Sequence, residues 1–347
     1  MTISSSIDRA AVEAAVAAAS RAPSIHNTQP WQWNLHEDRL DVRADRSRQL
    51  QVADRDGHSL LISCGAAIEL TSLALRAQGW TAETSLLPDP GDPDLLARLR
   101  LVGRSEPDPV ATTQLSAARL RRSERGVFGP EPVSAEVIER LRDAAGEAGV
   151  SAHFPIRPEE TLALAVAISK ADRSQRHDPA YAAEMAAWVR HDDTTEDGVP
   201  DSAIPQVQPG QPRHTEIPLR DFEAGIPGGQ LITGGIDERP LIAIIFTVSD
   251  NHLERLRAGQ AMMRLMIQAE LDGIASCPLS QSVDLLSFRT QLQTLMSWDG
   301  HPQMMLRLGQ KPPGNRPPLT PRRSVSEVLT ITEEGSRGAG PAVDGPR

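Results

Sequence analysis

Apolar positions along the chain follow two rhythms, one helical and one strand-like, and the switches between them mark its elements. The first run, from about Asp8 to Arg21, is built on Ala and Val, with Ser4 to Ser6 as candidate N-caps and Pro23 as its break. Trp31, Trp33 and Leu35 then alternate with polar residues. Leu40, Val42 and Ala44 repeat that pattern beyond Glu37-Asp38, as a hairpin with one buried face requires. Ser59 to Gln78 is a largely apolar run closed by Gly79, which predicts a buried helix. Trp80 to Leu87 and Leu95 to Val102 read as strands flanking a turn rich in Pro, Asp and Gly.

A second unit opens with a helix from about Val110 into the stretch Arg119 to Phe128. A capped amphipathic helix at Ser134 to Gly149 and a longer helical region at Glu159 to Arg190 follow. Between His191 and Pro240, seven Pro and seven Gly argue against regular structure. Such a segment is a mobile insertion or a lid. The anchors Ile217, Leu219, Phe222, Ile226 and Leu231, which a plain linker lacks, favour a lid over about 191–240. Leu241 to Val248 is a continuous apolar strand of the kind buried on both faces. His252 to Asp272 is a helix stopped by Gly273, and Ile274 to Leu279 and Gln303 to Leu308 complete the strands. Prolines then keep the chain extended, and 333–347 reads as a disordered tail. The class is α+β, with an N-terminal unit at 1–108 and a C-terminal unit at 109–332.

A length of 347 residues is enough for two such units, and composition narrows the function classes. The net charge of -10 argues against a nucleic-acid binder, which needs clustered Lys and Arg over a broad face. The two cysteines, Cys64 and Cys277, lie far apart and match no metal spacing, as buried thiols in a reducing compartment would. The N-terminus lacks a basic start followed by an apolar run, and no apolar stretch reads as long enough to span a bilayer. The expectation is a cytoplasmic protein with no membrane partner, no nucleic-acid partner and no metal.

Candidate chemistry concentrates in RAPSIHNTQPWQW, Arg21 to Trp33. Asn27 and Gln29 carry both donor and acceptor atoms and stay neutral at any working pH, which suits the polar edge of a flat heterocycle. The plainer alternative is that Pro23 and Ser24 end a helix and Pro30 starts a hairpin. His26 titrates near neutrality and is a candidate proton donor, or it holds loop geometry through one ring nitrogen. Farther on, Arg121, Ser123 and Arg125 occupy alternate positions at a helix end. They form a phosphate cradle or simply a solvated basic face.

The order of Pro23, Ser24, Asn27, Gln29, Pro30 and Trp31 resembles the flavin-contacting loop of the nitroreductase family, and His26 and Thr28 make it similar to the Acg-type branch. The resemblance implies a nitroreductase-like fold of two fused halves, a pseudo-dimer with mixed and antiparallel sheets surrounded by helices. It implies FMN, with Ser24, Asn27, Gln29 and Pro30 at the ring, Trp31 packing the loop, and Arg121, Ser123 and Arg125 on the phosphate. The segment Gly273 to Asp284 resembles the strand and turn beside the reactive flavin edge, with Ser280 and Gln281 where many members carry an acidic residue and a glycine. The segment Pro321 to Leu329 resembles the basic C-terminal extension, bringing Arg322 and Arg323 toward the phosphate. The activity implied is ping-pong reduction of nitroaromatic, quinone or similar small flat acceptors, with NADPH or NADH as donor and no catalytic side chain beyond His26. The alternatives are an FMN-sequestering protein with a lid and little turnover, or an interaction protein whose flavin loop has decayed. Either a monomeric pseudo-dimer or a homodimer fits.

Overall fold

The computed structural model describes residues 8–191, 195–204, 238–311 and 317–332. The N-terminal part runs α1 (Arg9–Ala19), β1 (Trp31–Leu35), β2 (Arg39–Ala44), α2 (His58–Ala77), β3 (Trp80–Leu86) and β4 (Leu95–Arg104). Then come α3 (Pro109–Leu120), α4 (Ala135–Gly146), β5 (Ser151–His153), α5 (Pro158–Arg176), α6 (Pro179–Ala187), β6 (Val189–Arg190) and β7 (Val199–Pro200). The chain closes with β8 (Leu241–Thr247), α7 (His252–Leu271), β9 (Ile274–Pro278), α8 (Leu286–Met296), β10 (His301–Gln310), α9 (Val325–Val328) and β11 (Leu329–Ile331).

Two sheets carry the architecture, ordered β11-β1-β2-β4-β3 and β5-β8-β10-β9. Setting β11 aside, each sheet has the same order of strand, strand, fourth strand and third strand, all antiparallel, with its long helix between the second and third strands in sequence. The later β11 joins the first sheet instead, parallel to β1, so the segment leading into it is delivered beside the Arg21–Trp33 loop.

Helices α2 and α7 cross at the centre, inside one continuous apolar core drawn from both sheets. The crossing is set by two glycines. A Cβ on Gly65 would lie 2.2 Å from the Leu256 carbonyl oxygen, and one on Gly259 would lie 2.1 Å from that of Ile62. Backbone therefore meets backbone, and no side chain larger than hydrogen fits. The start of α2 is held by Asp54, whose carboxylate accepts the Ser59 and Leu60 N–H groups at 2.8 Å each.

Several expectations need correction. The helix placed through Arg119 to Phe128 ends at Leu120. Arg121 caps it, and Ser123 instead bridges Ser276 beside β9, with the Glu124 N–H donating to the Ser276 carbonyl at 2.9 Å. The helical region from Glu159 to Arg190 divides at Asp178, which caps α6 ahead of Pro179. The helix α8 and the short strands β5 and β11 carried too few residues of clear period to be read. Among the described residues one helix, His58–Ala77, is after all long and apolar enough to cross a membrane, yet it is the buried core helix α2. The anchors Ile217, Leu219, Phe222, Ile226 and Leu231, most of the lid, and the tail 333–347 lie outside the described residues.

Adding a methyl at the crossing tests this frame. Gly65→Ala or Gly259→Ala should each lower unfolding stability by about 3 kcal/mol, the upper range for overpacking a core. Chemical denaturation measures it, and an unchanged midpoint would mean that the helices are not held this close.

Candidate functional site

The Arg21–Trp33 loop folds back on itself through Ser24, whose Oγ accepts the Gln29 N–H at 3.0 Å, and it is tied to α2 by the Ile25 N–H on Ser63 Oγ at 3.2 Å. His26, Asn27 and Gln29 take left-handed backbone, with φ of 45°, 56° and 51°. Each such non-glycine residue costs about 1–2 kcal/mol, so the surroundings must hold the loop. They do so from two remote segments. Asn27 donates both hydrogens of Nδ2, to the Gly198 carbonyl at 2.9 Å and the Pro321 carbonyl at 3.1 Å. Gln29 donates from Nε2 to the Glu196 carbonyl at 2.8 Å and accepts the Arg323 N–H on Oε1 at 2.9 Å.

A cavity open to solvent lies against this loop. Ser24, His26 and Asn27 line one side, Ser59, Ile62 and Ser63 of α2 the floor, and Met262 of α7 joins them. The turn after β9 contributes Ser280 and Gln281, while Ser123, Arg125 and Arg322 form the remaining wall. Residues far apart in sequence thus converge on one space.

Other expected site residues stand behind that wall. Gln29 has no exposed surface and both ends of its amide are engaged by the protein, so its work is to brace the loop. Pro30 precedes β1 outside the cavity lining. Trp31 is fully buried, its ring centroid 6.1 Å from that of Trp33. Arg121 is buried, donating to the Arg21 carbonyl at 3.1 Å, and Arg323 reaches Gln29 and Asp45. With Nδ2 spent, the Asn27 amide that lines the cavity has its Oδ1, an acceptor, left to offer.

The arginines give the cavity one cationic end. Burial, and then the charges of Arg121, Arg21, Arg125 and Arg122, push the Arg322 guanidinium down to about 9. Burial first, with Arg21 and Arg122 next, pushes Arg121 down to about 10. Arg322 satisfies its Nη atoms on the carbonyls of Pro321, Arg21 and Ala22 and on Thr320, but its Nε and that of Arg121 have no partner among the described residues. Crowded, dehydrated cations with unused donors are what a bound oxyanion relieves.

The wall next to Arg125 is held by a buried ion pair. Arg307, paired with Glu238, stacks 3.9 Å from the Phe128 ring centroid and donates to the Gly126 carbonyl at 2.9 Å, while the Phe128 N–H donates to Glu238 at 2.9 Å. Gly309 leaves room for that ring, since a Cβ there would stand 2.5 Å from it. Cys277 and Met304 also face the cavity. Ser59 and Ser63, four apart in the first turns of a largely apolar helix, are a sequence signal for this wall.

A sequence model of the nitroreductase family matches residues 118–310. A Mycobacterium tuberculosis H37Rv protein with the provisional name NAD(P)H nitroreductase Rv3131 is 32% identical over 331 residues, 94% of this chain and 93% of that protein. The same organism's protein provisionally named NAD(P)H nitroreductase acg is 28% identical over 337 residues, 94% of this chain and 97% of that protein. Among solved structures, the FMN-dependent nitroreductase NfnB from Mycobacterium smegmatis in complex with NADPH is 18% identical, covering 65% of this chain and 100% of that one at a TM-score of 0.37.

Asp54, behind Ser59, gives a measurable pH effect. Burial, reinforced by Asp284 and Asp56, raises its carboxyl from 3.8 to about 7. Between those values the folded state holds a proton that the unfolded state has released, so this group's contribution to stability falls as pH rises through that window. Unfolding midpoints across the range should favour Asp54→Asn over the parent by a margin that grows with pH, on the order of a few kcal/mol above about pH 7. A constant margin would contradict the assignment.

Proposed function

The chain belongs to the nitroreductase family, and from that premise we propose that it is an FMN-binding oxidoreductase in which NAD(P)H and a flat acceptor, nitroaromatic or quinone, take turns in the cavity. The observation that carries this reading is the cationic end, where Arg322 lines the cavity beside Arg125 with its Nε donor unused and Arg121 is buried behind them. The Arg322 donor and the Arg125 guanidinium fit a phosphate monoester, with Arg121 adding charge from behind, and the Oδ1 of Asn27 fits a ring N–H, so the residues present suit FMN. When bound, FMN supplies hydride acceptance and transfer at its ring.

The chain's own residues then have separable tasks. Ser123, Arg125 and Arg322 hold the phosphate, with Arg121 adding charge from behind. Ser24 and Asn27 orient the ring edge, and Ile62 and Met262 exclude water from its faces. Gln29 and Arg323 keep the strained loop in place. His26 is the titratable group of the loop wall. The repeated sheet order supports two fused halves, 1–108 and 109–332, the first supplying the loop and the second the arginines, in a monomeric pseudo-dimer.

Retention of FMN with little turnover is a second reading, favoured by a strap packed on the Asn27–Gln29 loop. Asp197 sits between Arg48 and Arg190, both guanidinium groups lie over the Trp188 ring, and the adjoining backbone holds Asn27 and Gln29. Anaerobic NADPH, then NADH, separates the readings. Rapid bleaching of a flavin band supports turnover, and a persistent band supports retention.

Arg125→Met and Arg322→Met should each weaken FMN binding about tenfold to a hundredfold, the worth of a charged hydrogen bond. Equilibrium dialysis reads it, with thermal melts to confirm folding. Unchanged binding in both variants would remove the cationic end from the cofactor site.

A further inference from the structure

Once the phosphate and the ring edge have their partners, one buried donor of the cavity wall is left unused. Gln281 lines the cavity and is 1% exposed, and its Nε2 has no acceptor among the described residues. An amide nitrogen buried in this way is costly unless a bound molecule brings it an oxygen or nitrogen.

The turn after β9 holds that amide in one place. The Leu279 N–H donates to the Met305 carbonyl at 2.8 Å, and the Ser280 carbonyl accepts the N–H groups of Val283 and Asp284 at 2.8 Å each. The Asp284 carboxylate accepts the Ser280 and Ser59 hydroxyls at 3.2 Å each, which ties the turn to α2. Arg289 donates to the Val283 carbonyl at 2.8 Å. From α5, the Gln175 Nε2 donates to the carbonyl of Gln281 itself at 3.0 Å. With the backbone fixed on both sides, a ligand meets a donor already in position and loses little to ordering it.

The neighbours decide which chemistry that donor suits. Cys277, Leu279, Met262 and Met304 line the same cavity, each at most 8% exposed. Sulfur and aliphatic atoms of this kind pack well against an aromatic ring. Arg125 and Arg322 give an oxyanion its place at the cationic end. A neutral amide among apolar side chains suits instead an uncharged oxygen, such as that of a nitro group or a quinone carbonyl.

We propose that Gln281 is the specificity-determining residue for the electron acceptor, its Nε2 donating to an uncharged oxygen of a flat aromatic molecule whose ring packs on the sulfur and aliphatic side chains of the same wall. This rests on the oxidoreductase reading for what becomes of the molecule, and deepens it by stating what the molecule must carry. A ring without such an oxygen leaves the buried donor unpaired. Unpaired groups of that kind discriminate far more strongly than a change in apolar size.

Nitrobenzene and isopropylbenzene test it, since they share a ring and nearly a shape, and only the first offers oxygen. Equilibrium dialysis of each against the oxidised, FMN-loaded protein, with no nicotinamide present, reads binding without turnover. Gln281→Met keeps the volume and removes the donor, so the ratio of the two affinities should fall about tenfold to a hundredfold, with the loss on nitrobenzene. A general disturbance of the wall would weaken both ligands alike. Thermal melts confirm folding, and Gln281→Leu supplies the same comparison if the methionine variant does not fold. An unchanged ratio, or an equal loss on both ligands, overturns the proposal. So does an unchanged ratio with weakened FMN binding, which would assign the amide to the cofactor. Failure of the parent protein to take up FMN would sink the oxidoreductase reading instead, and the same two ligands on the cofactor-free protein would still decide whether Gln281 selects for oxygen.

Discussion

The structure depends on the contact between α2 and α7 at Gly65 and Gly259, where helix backbones approach until only hydrogen fits between them. That separation fixes how far apart the two sheets lie, because each helix packs against its own sheet within the shared core. It also fixes the cavity, whose floor takes Ile62 and Ser63 from one helix and Met262 from the other. A change of a few tenths of an ångström at the crossing would open a core packed at crystal-like density and misalign walls contributed by distant parts of the chain.

On that frame the molecule places two liabilities side by side. One is a strained loop, with left-handed backbone at His26, Asn27 and Gln29, which the Gly198 and Pro321 carbonyls and the Arg323 N–H hold in place. The other is a cluster of dehydrated cations, Arg121 and Arg322 foremost, whose charges depress one another. Strain and buried like charge are retained where function needs them, and here they meet around a single space. The buried carboxyls Asp54 and Asp284 stand behind another wall, so the cavity is cationic where Arg125 and Arg322 line it and acidic behind Ser59 and Ser280.

Much of this was legible in the sequence, for identifiable reasons. The long apolar runs of α2, β8 and α7 and the alternation in β1 and β2 are strong periodic signals, and their types and approximate ends follow from them. The loop motif led to Ser24, His26 and Asn27, and the Arg, Ser and Gln positions led to the other walls. Sequence order could not tell wall from support. Gln29 and Arg121 carry the right chemistry and stand outside the cavity lining, Gln29 on left-handed backbone and Arg121 at a helix cap. Nor could it reveal Asp284, whose partners Ser59 and Ser280 lie 225 and 4 residues away. Contacts of that kind leave no local pattern to read.

The central claim is that buried arginines form an oxyanion end for one phosphate-bearing flavin per chain. Calorimetric titration of the cofactor-free protein with FMN and with riboflavin tests it most directly, because the two ligands share the ring and differ in the phosphate. The account expects one FMN per chain and riboflavin weaker by about a hundredfold or more, since several charge-assisted hydrogen bonds are lost with the phosphate. Equal affinity for the two, or no binding of either, would contradict it.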